Sequence, residues 1–272
     1  VLVADAAAGT VQGYSWNKQT RVWATQGAPY APTSITRPAL AAQTPQQAAF
    51  YNEASNTLER INYNVGSVSL VGSYTLPATT QYVSLAALND KDVAMLAFEP
   101  FGGGHVLALK TYRWDGPPGS EAWSLVGSQL GIISGTLTLG ETGLTALSST
   151  EVVIFETVTG GSGQAYHWDG STWAAVGTGF SAAATATSDI ALIALNDTDV
   201  LLFKQGSLSA HRFNGAGWGF VPTADWPLQT ATLGVSACAM SGQDFVLIDS
   251  GNGNLFRYRM NFFMGNGFYR PY

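Results

Sequence analysis

The stretch Ile190–Phe220, IALIALNDTDVLLFKQGSLSAHRFNGAGWGF, reads as four short strands in a row. An apolar run, Ile190–Leu195, meets a turn at Asn196-Asp197-Thr198. A second apolar run, Val200–Phe203, meets Gln205-Gly206-Ser207. An alternating run, Leu208–Phe213, leads into Asn214-Gly215-Ala216-Gly217, and an aromatic strand opens at Trp218. Asn-Gly and Gly-Ser pairs between short apolar runs are hairpin signals because they tolerate positive φ.

Variants of this unit recur along the chain. The aromatic that closes the third strand falls at Trp16, Tyr63, Trp114, Trp168, Phe213 and Tyr258, with spacings of 47, 51, 54, 45 and 45 residues. Four-stranded units of roughly 40–50 residues are the signature of propeller blades. The sequence therefore predicts an all-β, six-bladed β-propeller with four-stranded antiparallel blades, as one domain over residues 1–272. Copy one opens directly in what is the second strand elsewhere, which leaves an inner edge to be filled. In copy two the first strand is hidden in the Pro-, Ala- and Thr-rich segment Ala28–Gln47. No stretch keeps a 3.6-residue apolar period.

The columns of the repeat have physical content. Small residues recur in the first strand at Ala87, Ala146, Ala194 and Ala239, suited to the crowded inner part of a blade. The second strand opens with an acid, at Asp92, Glu151, Asp199 and Asp244. The third strand carries a base before its anchor aromatic, at Arg113, His167, Arg212 and Arg257. Copy two has amides in both columns, Gln47 and Asn62. Acid and base come and go together, so the expectation is that they touch as structural pairs, costly to break by roughly 3–5 kcal/mol if buried. On that reading Asp199→Ala and Arg212→Ala cost the same. The other reading is that the bases line ligand sites.

A third column is the turn Trp114-Asp115-Gly116, Trp168-Asp169-Gly170 and Phe213-Asn214-Gly215, each followed by a tryptophan at Trp123, Trp173 or Trp218. The Asp or Asn side chain closes an Asx turn and the glycine takes positive φ. Two readings stand here also. The trailing tryptophans pack between blades, or Trp114, Asp115, Trp123, Trp168, Asp169, Trp173 and Trp218 form ligand sites in which flat apolar faces stack on sugar rings beside fixed hydrogen-bonding groups.

Composition narrows the function classes. Only 11% of the 272 residues are charged, against roughly 25% on average. The net charge of −6 and the lack of any Lys/Arg-rich run argue against nucleic acid. No apolar run approaches the ~18 residues of a membrane-spanning helix. With one cysteine no intrachain disulfide can form. His105, His167 and His211 lack metal-ligand spacing, so no metal is expected. No phosphate loop or catalytic constellation is recognisable, so neither a cofactor nor catalysis is expected.

Tyr166–Trp173, Tyr-x-Trp-Asp-Gly-x-x-Trp, resembles kelch-type and lectin-type propeller repeats. Val200–Trp218 is similar to blades of the six-bladed fucose-binding lectins, a resemblance that implies ligand sites repeated between blades. Asp169–Trp173 also looks like a sialidase Asp-box, one residue short. The expected function is a non-catalytic extracellular recognition module that binds glycan or protein surfaces through loops and inter-blade clefts. The first alternative is a structural component of a virion or surface assembly, such as a phage tail or capsid appendage. The second is a secreted glycoside hydrolase, which needs two carboxylates about 5–10 Å apart. Expected partners are a glycan or protein surface and a homo-oligomer or larger assembly. The expected location is extracellular, on a cell surface or on a virion.

Overall fold

The computed structural model describes residues 1–64, 66–76, 79–135, 139–185, 188–204, 207–221, 235–239, 244–249, 254–261 and 268–271. Every regular element among them is a β-strand. The first copy contributes β1 (Leu2–Asp5), β2 (Thr10–Asn17) and β3 (Val22–Tyr30). The second contributes β4 (Ala39–Thr44), β5 (Gln47–Asn52), β6 (Thr57–Asn64) and β7 (Ser67–Thr75). These seven strands lie in the order β1-β2-β3-β7-β6-β5-β4. The two halves join through one parallel pairing, Ala28 with Ser67. β4 is the first strand that the Pro-rich composition of copy two conceals.

The other copies are four-stranded antiparallel sheets in simple meander order. Copy three is β8 (Gln81–Ala87), β9 (Asp92–Phe101), β10 (Gly104–Asp115) and β11 (Ala122–Gly135). Copy four is β12 (Thr142–Ala146), β13 (Glu151–Glu156), β14 (Ser162–Trp168) and β15 (Trp173–Ser181). Copy five is β16 (Ile190–Ala194), β17 (Asp199–Lys204), β18 (Ser207–Phe213) and β19 (Trp218–Val221). Copy six is β20 (Val235–Ala239), β21 (Asp244–Asp249), β22 (Asn254–Asn261) and β23 (Phe268–Pro271). Gln205 and Gly206 of the turn that opened the sequence reading lie outside the described residues.

The chain divides into two compact units, residues 1–137 with 168–173, and residues 138–167 with 174–272. In each, the second strands form the core. Their uninterrupted apolar runs mean burial on both faces, and Val93–Phe98, Val152–Phe155 and Val200–Phe203 are all buried. In the first unit Tyr51, Leu58, Met95 and Tyr112 share one cluster, while Val11, Phe50 and Ile61 share another. In the second, Val153, Phe155, Phe180 and Leu202 pack together, as do Leu201, Phe203, Phe245 and Tyr258.

Neighbouring copies are tied by a repeated main-chain bond. The outer strand carries a glycine in the left-handed region, at Gly27, Gly127 and Gly177, with φ of 66, 66 and 64°. The next residue donates its N–H to a carbonyl in the following copy's third turn: Ala28 to Gly66 (2.9 Å), Ser128 to Ser171 (2.8 Å) and Thr178 to Ala216 (2.8 Å). Each acceptor stands three residues after the anchor aromatic. The approach is so close that a Cβ on Gly127 would lie 2.1 Å from the Ser171 carbonyl oxygen, so only glycine fits.

One expected column is displaced. Asp244 stands opposite Arg259, and Arg257 stands opposite Val246. Four residues separate the paired Asp249 and Asn254, where two separate Lys204 and Ser207. The longer connection delays the third strand by two residues. The backbone register therefore puts Met260, not Tyr258, in the anchor column.

Candidate functional site

The most sharply defined polar feature begins at the turn between first and second strands. In copy three, Asn89 Oδ1 accepts the N–H groups of Lys91 and Asp92, both at 2.8 Å. In copy five, Asn196 Oδ1 accepts those of Thr198 and Asp199, both at 2.8 Å. This Asx turn sets the acid at the head of the second strand. The same asparagine then donates Nδ2–H to that acid, 3.0 Å to Asp92 Oδ2 and 3.0 Å to Asp199 Oδ2.

The antiparallel register places an arginine across from each acid, Arg113 opposite Asp92 and Arg212 opposite Asp199. Both pairs are bidentate. Arg113 Nε and Nη2 lie 2.6 and 2.8 Å from Asp92 Oδ1 and Oδ2. Arg212 Nε and Nη2 lie 2.6 and 2.9 Å from Asp199 Oδ1 and Oδ2. Two copies thus build the same Asn–Asp–Arg relay with nearly superposable distances. Copy four holds a looser form, Glu151 with His167 at 3.8 Å.

The two ends of the relay differ in exposure. The side chains of Asp92 and Asp199 are 8% and 9% exposed, and those of Arg113 and Arg212 are 40% and 54% exposed. Burial alone would raise both carboxyl pKa values. The hydrogen bonds from arginine and asparagine outweigh it and hold them below the usual carboxylate range. Each guanidinium is raised in turn, first by its hydrogen bonds to the acid. The acid takes one edge of the guanidinium, and among the described residues no hydrogen bond reaches Nη1 in either copy. A planar cation gripped from behind, with two N–H donors turned outward, is preorganised to bind hydroxyl or carboxylate oxygen.

The third-turn residues sit beside this relay on the strand but are used differently. Asp169 is exposed, and its carboxylate accepts the backbone N–H groups of Ser171 (2.8 Å) and Thr172 (2.7 Å) together with both hydroxyls. Those bonds, the Thr172 backbone N–H first, hold its pKa far below the usual value. Asp115 is exposed, bonded by the Gly116 N–H and 3.4 Å from Lys91 Nζ, and its pKa is lowered by these in that order. Asn214 closes the same turn onto Ala216 and Gly217.

The aromatic members are occupied by packing. Trp114 pairs with Trp123 at 5.4 Å and Trp168 with Trp173 at 5.1 Å, all four buried. Trp173 Nε1–H donates to Thr111 Oγ1 at 3.0 Å. The Trp114 ring rests on Gly72 and the Trp168 ring on Gly127, where a Cβ would come within 2.6 and 2.7 Å of the indole. Trp218 is half-buried against Phe213 and Phe180. Among the candidate ligand residues, Asp115 and Asp169 are thus the exposed ones, while Trp218 is half-buried.

Copy two departs from the pattern. Gln47 stands opposite Asn62, but Arg60 takes the role of the missing base. It is buried, bonds Gln47 Oε1 and the Asp90 carbonyl, and lies 5.4 Å above the Trp114 ring. Sequence reasoning missed Arg60 and both relay asparagines. The repeated spacing Asn89-Asp90-Lys91-Asp92 and Asn196-Asp197-Thr198-Asp199 carried the signal for the asparagines. Among the described residues no group of acids, histidines or cysteines is arranged to hold a metal. No described helix is long and apolar enough to cross a membrane.

No protein-family model matches the chain, and no curated protein does either. Solved structures do. The lectin of Aleuria aurantia, described as a six-bladed β-propeller with a novel fucose recognition mode, is 16% identical over 97% of this chain and 87% of its own, with a TM-score of 0.63. AofleA from Arthrobotrys oligospora, crystallised as an arginine-to-alanine mutant, is 13% identical over 98% and 80%, with a TM-score of 0.59. The SapL1 lectin, in complex with α-methyl fucoside, is 15% identical over 99% and 94%, with a TM-score of 0.55. At such identities the likeness concerns the fold, which is that of the six-bladed β-propellers.

Proposed function

We propose that this propeller is a non-catalytic carbohydrate-recognition module acting outside the cell, on a cell surface or on a virion. The observation that carries the proposal is the acid-gripped guanidinium of Arg113 and Arg212, each with an unspent outward edge. A sugar presents hydroxyl and ring oxygens that accept from such an edge, and a fixed donor loses little entropy on binding. The shared fold with structures of fucose-recognising lectins supports the same reading. The glycan itself, and any assembly of several chains, belong to the proposal.

The test is a glycan array probed with the wild-type chain and with Arg113→Ala and Arg212→Ala. Signal on a defined group of glycans, weakened in each variant while folding is retained, supports the reading. No glycan signal, or signal unchanged in both variants, overturns it.

A further inference from the structure

In copy two the acid column holds Gln47, yet a guanidinium is still placed against copy three, that of Arg60. Arg60 is only 5% exposed. Its Nη2 donates to Gln47 Oε1 and to the Asp90 carbonyl, the latter at 3.0 Å. Among the described residues no hydrogen bond reaches its Nε or Nη1, although both atoms are buried. No described carboxylate bonds it, in contrast to Arg113 and Arg212, each held by an aspartate. The Trp114 ring, 5.4 Å from the guanidinium carbon, offsets part of the charge. Burial is the larger influence and lowers the Arg60 pKa, against the longer-range pull of Asp90 and Glu121. A buried cation with unspent donors and no counter-charge is unfavourable until something neutralises it.

A second orphan donor belongs to the same place. Arg60 stands opposite Ala49 in copy two as Thr111 stands opposite Ala94 in copy three. Thr111 Oγ1 accepts the Nε1–H of Trp173, the trailing tryptophan of copy four, at 3.0 Å. The trailing tryptophan of copy three is Trp123. Its pair is seated on copy two in the same way, since Trp114 rests on Gly72 as Trp168 rests on Gly127, and Gly72 lies opposite Arg60. The repeat therefore presents Trp123 Nε1 to Arg60 where Trp173 Nε1 meets Thr111. Two donors cannot bond each other, and Trp123 Nε1 is buried with no partner among the described residues. Trp218 Nε1 is unpartnered too, but the corresponding residue of copy four is Ala165, opposite Val153, which brings no charge.

We propose that copies two and three enclose a binding site for one monovalent anion of halide size, chloride under ordinary conditions, held by the Nε–H and Nη1–H groups of Arg60 and the Nε1–H of Trp123. One negative charge matches the one cation that lacks a counter-ion. A spherical anion accepts from any direction, so it serves an indole and a guanidinium that lie in different planes. The donor atoms are closed off from bulk solvent, which favours the smallest anion over a carboxylate or phosphate group. Copies three and five need no such ion, because Asp92 and Asp199 supply the charge from within the chain. This proposal is independent of the carbohydrate reading, since Arg113 and Arg212 take no part in it.

The first probe is bromide, exchanged for chloride in crystals of the full chain. An anomalous peak between the Arg60 guanidinium and Trp123 Nε1 is expected. The second probe is chloride itself, exchanged for gluconate at constant ionic strength during urea unfolding. Above its dissociation constant, each tenfold rise in chloride should raise the folded-to-unfolded ratio about tenfold. Arg60→Gln should abolish that dependence. Trp123→Phe keeps an aromatic ring in the cluster, removes one donor and should weaken chloride binding about tenfold. If Arg60→Gln does not fold, Trp123→Phe and the wild-type crystal carry the test. Ordered water alone at the site, bromide confined to the surface, or a wild-type stability indifferent to chloride overturns the proposal. So does a chloride dependence left intact by either substitution.

Discussion

Arg212→Ala should destabilise the protein more than Asp199→Ala, although the two side chains share one ion pair. The acid is 9% exposed and the base 54% exposed. Removing Asp199 releases a guanidinium that already reaches water, a loss on the scale of an exposed pair, about 1 kcal/mol. Removing Arg212 strands a buried carboxylate whose remaining side-chain donor is Asn196. A fully buried orphan costs about 3–5 kcal/mol, and the exposure of the arginine scales this down to about 2–3 kcal/mol.

The sign with pH follows. Arg212 holds the folded Asp199 pKa below its unfolded value. The pair's contribution is therefore present above pH ~4, the unfolded aspartate value, and is lost as pH falls through the lower folded pKa. Urea unfolding of wild type, both variants and the double variant at pH 7 and pH 3 measures the asymmetry and its decay. Equal losses for the two single variants at pH 7, as the sequence alone implied, would refute the reasoning. So would an Arg212→Ala deficit that persists undiminished at pH 3.

Two further outcomes are expected. His211 is buried, stacked on Phe180 at 4.2 Å and 3.0 Å from Ser209 Oγ, and burial lowers its pKa to about 4. Its neutral form is the one that fits, so stability should fall as pH drops from about 6.5 to about 4. Thermal melts of His211→Phe should lose that slope, and an unchanged slope would remove His211 as its source. Gly170→Ala meets open space at φ 98° and should cost about 1–2 kcal/mol for the left-handed backbone alone. Gly177→Ala has similar backbone strain and also drives a Cβ to 2.5 Å from the Ala216 carbonyl, so a cost no larger than that of Gly170→Ala would contradict the tight approach.

The repeat was legible because turn chemistry and apolar runs are local. Ile190–Phe220 states its strands outright, and the acid–base columns foretold the pairing of Asp92 with Arg113 and of Asp199 with Arg212. What stayed hidden depends on packing or on small changes of register. Two extra residues before β22 put Arg259, not Arg257, across from Asp244. Nothing local marks Ala39–Thr44 as a strand, because alanines and threonines fit any inner position. Composition gives no sign that Trp114 and Trp168 lie on glycines of a preceding copy. For the same reason it could not rank the Asp115 and Asp169 carboxylates above the indoles as solvent-facing groups. Nor does spacing disclose that the acid of each relay is sunk and the base is not.

The bond from Ala28, Ser128 and Thr178 to the next copy's turn involves peptide atoms alone. Its demands on sequence are slight, a glycine at the bend and a turn of the right length. Side chains at Gly66, Ser171 and Ala216 already differ without loosening it. Successive modules can therefore drift apart in the residues they show to the outside and still lock into the same frame. A chain assembled this way can revise its exposed residues one module at a time.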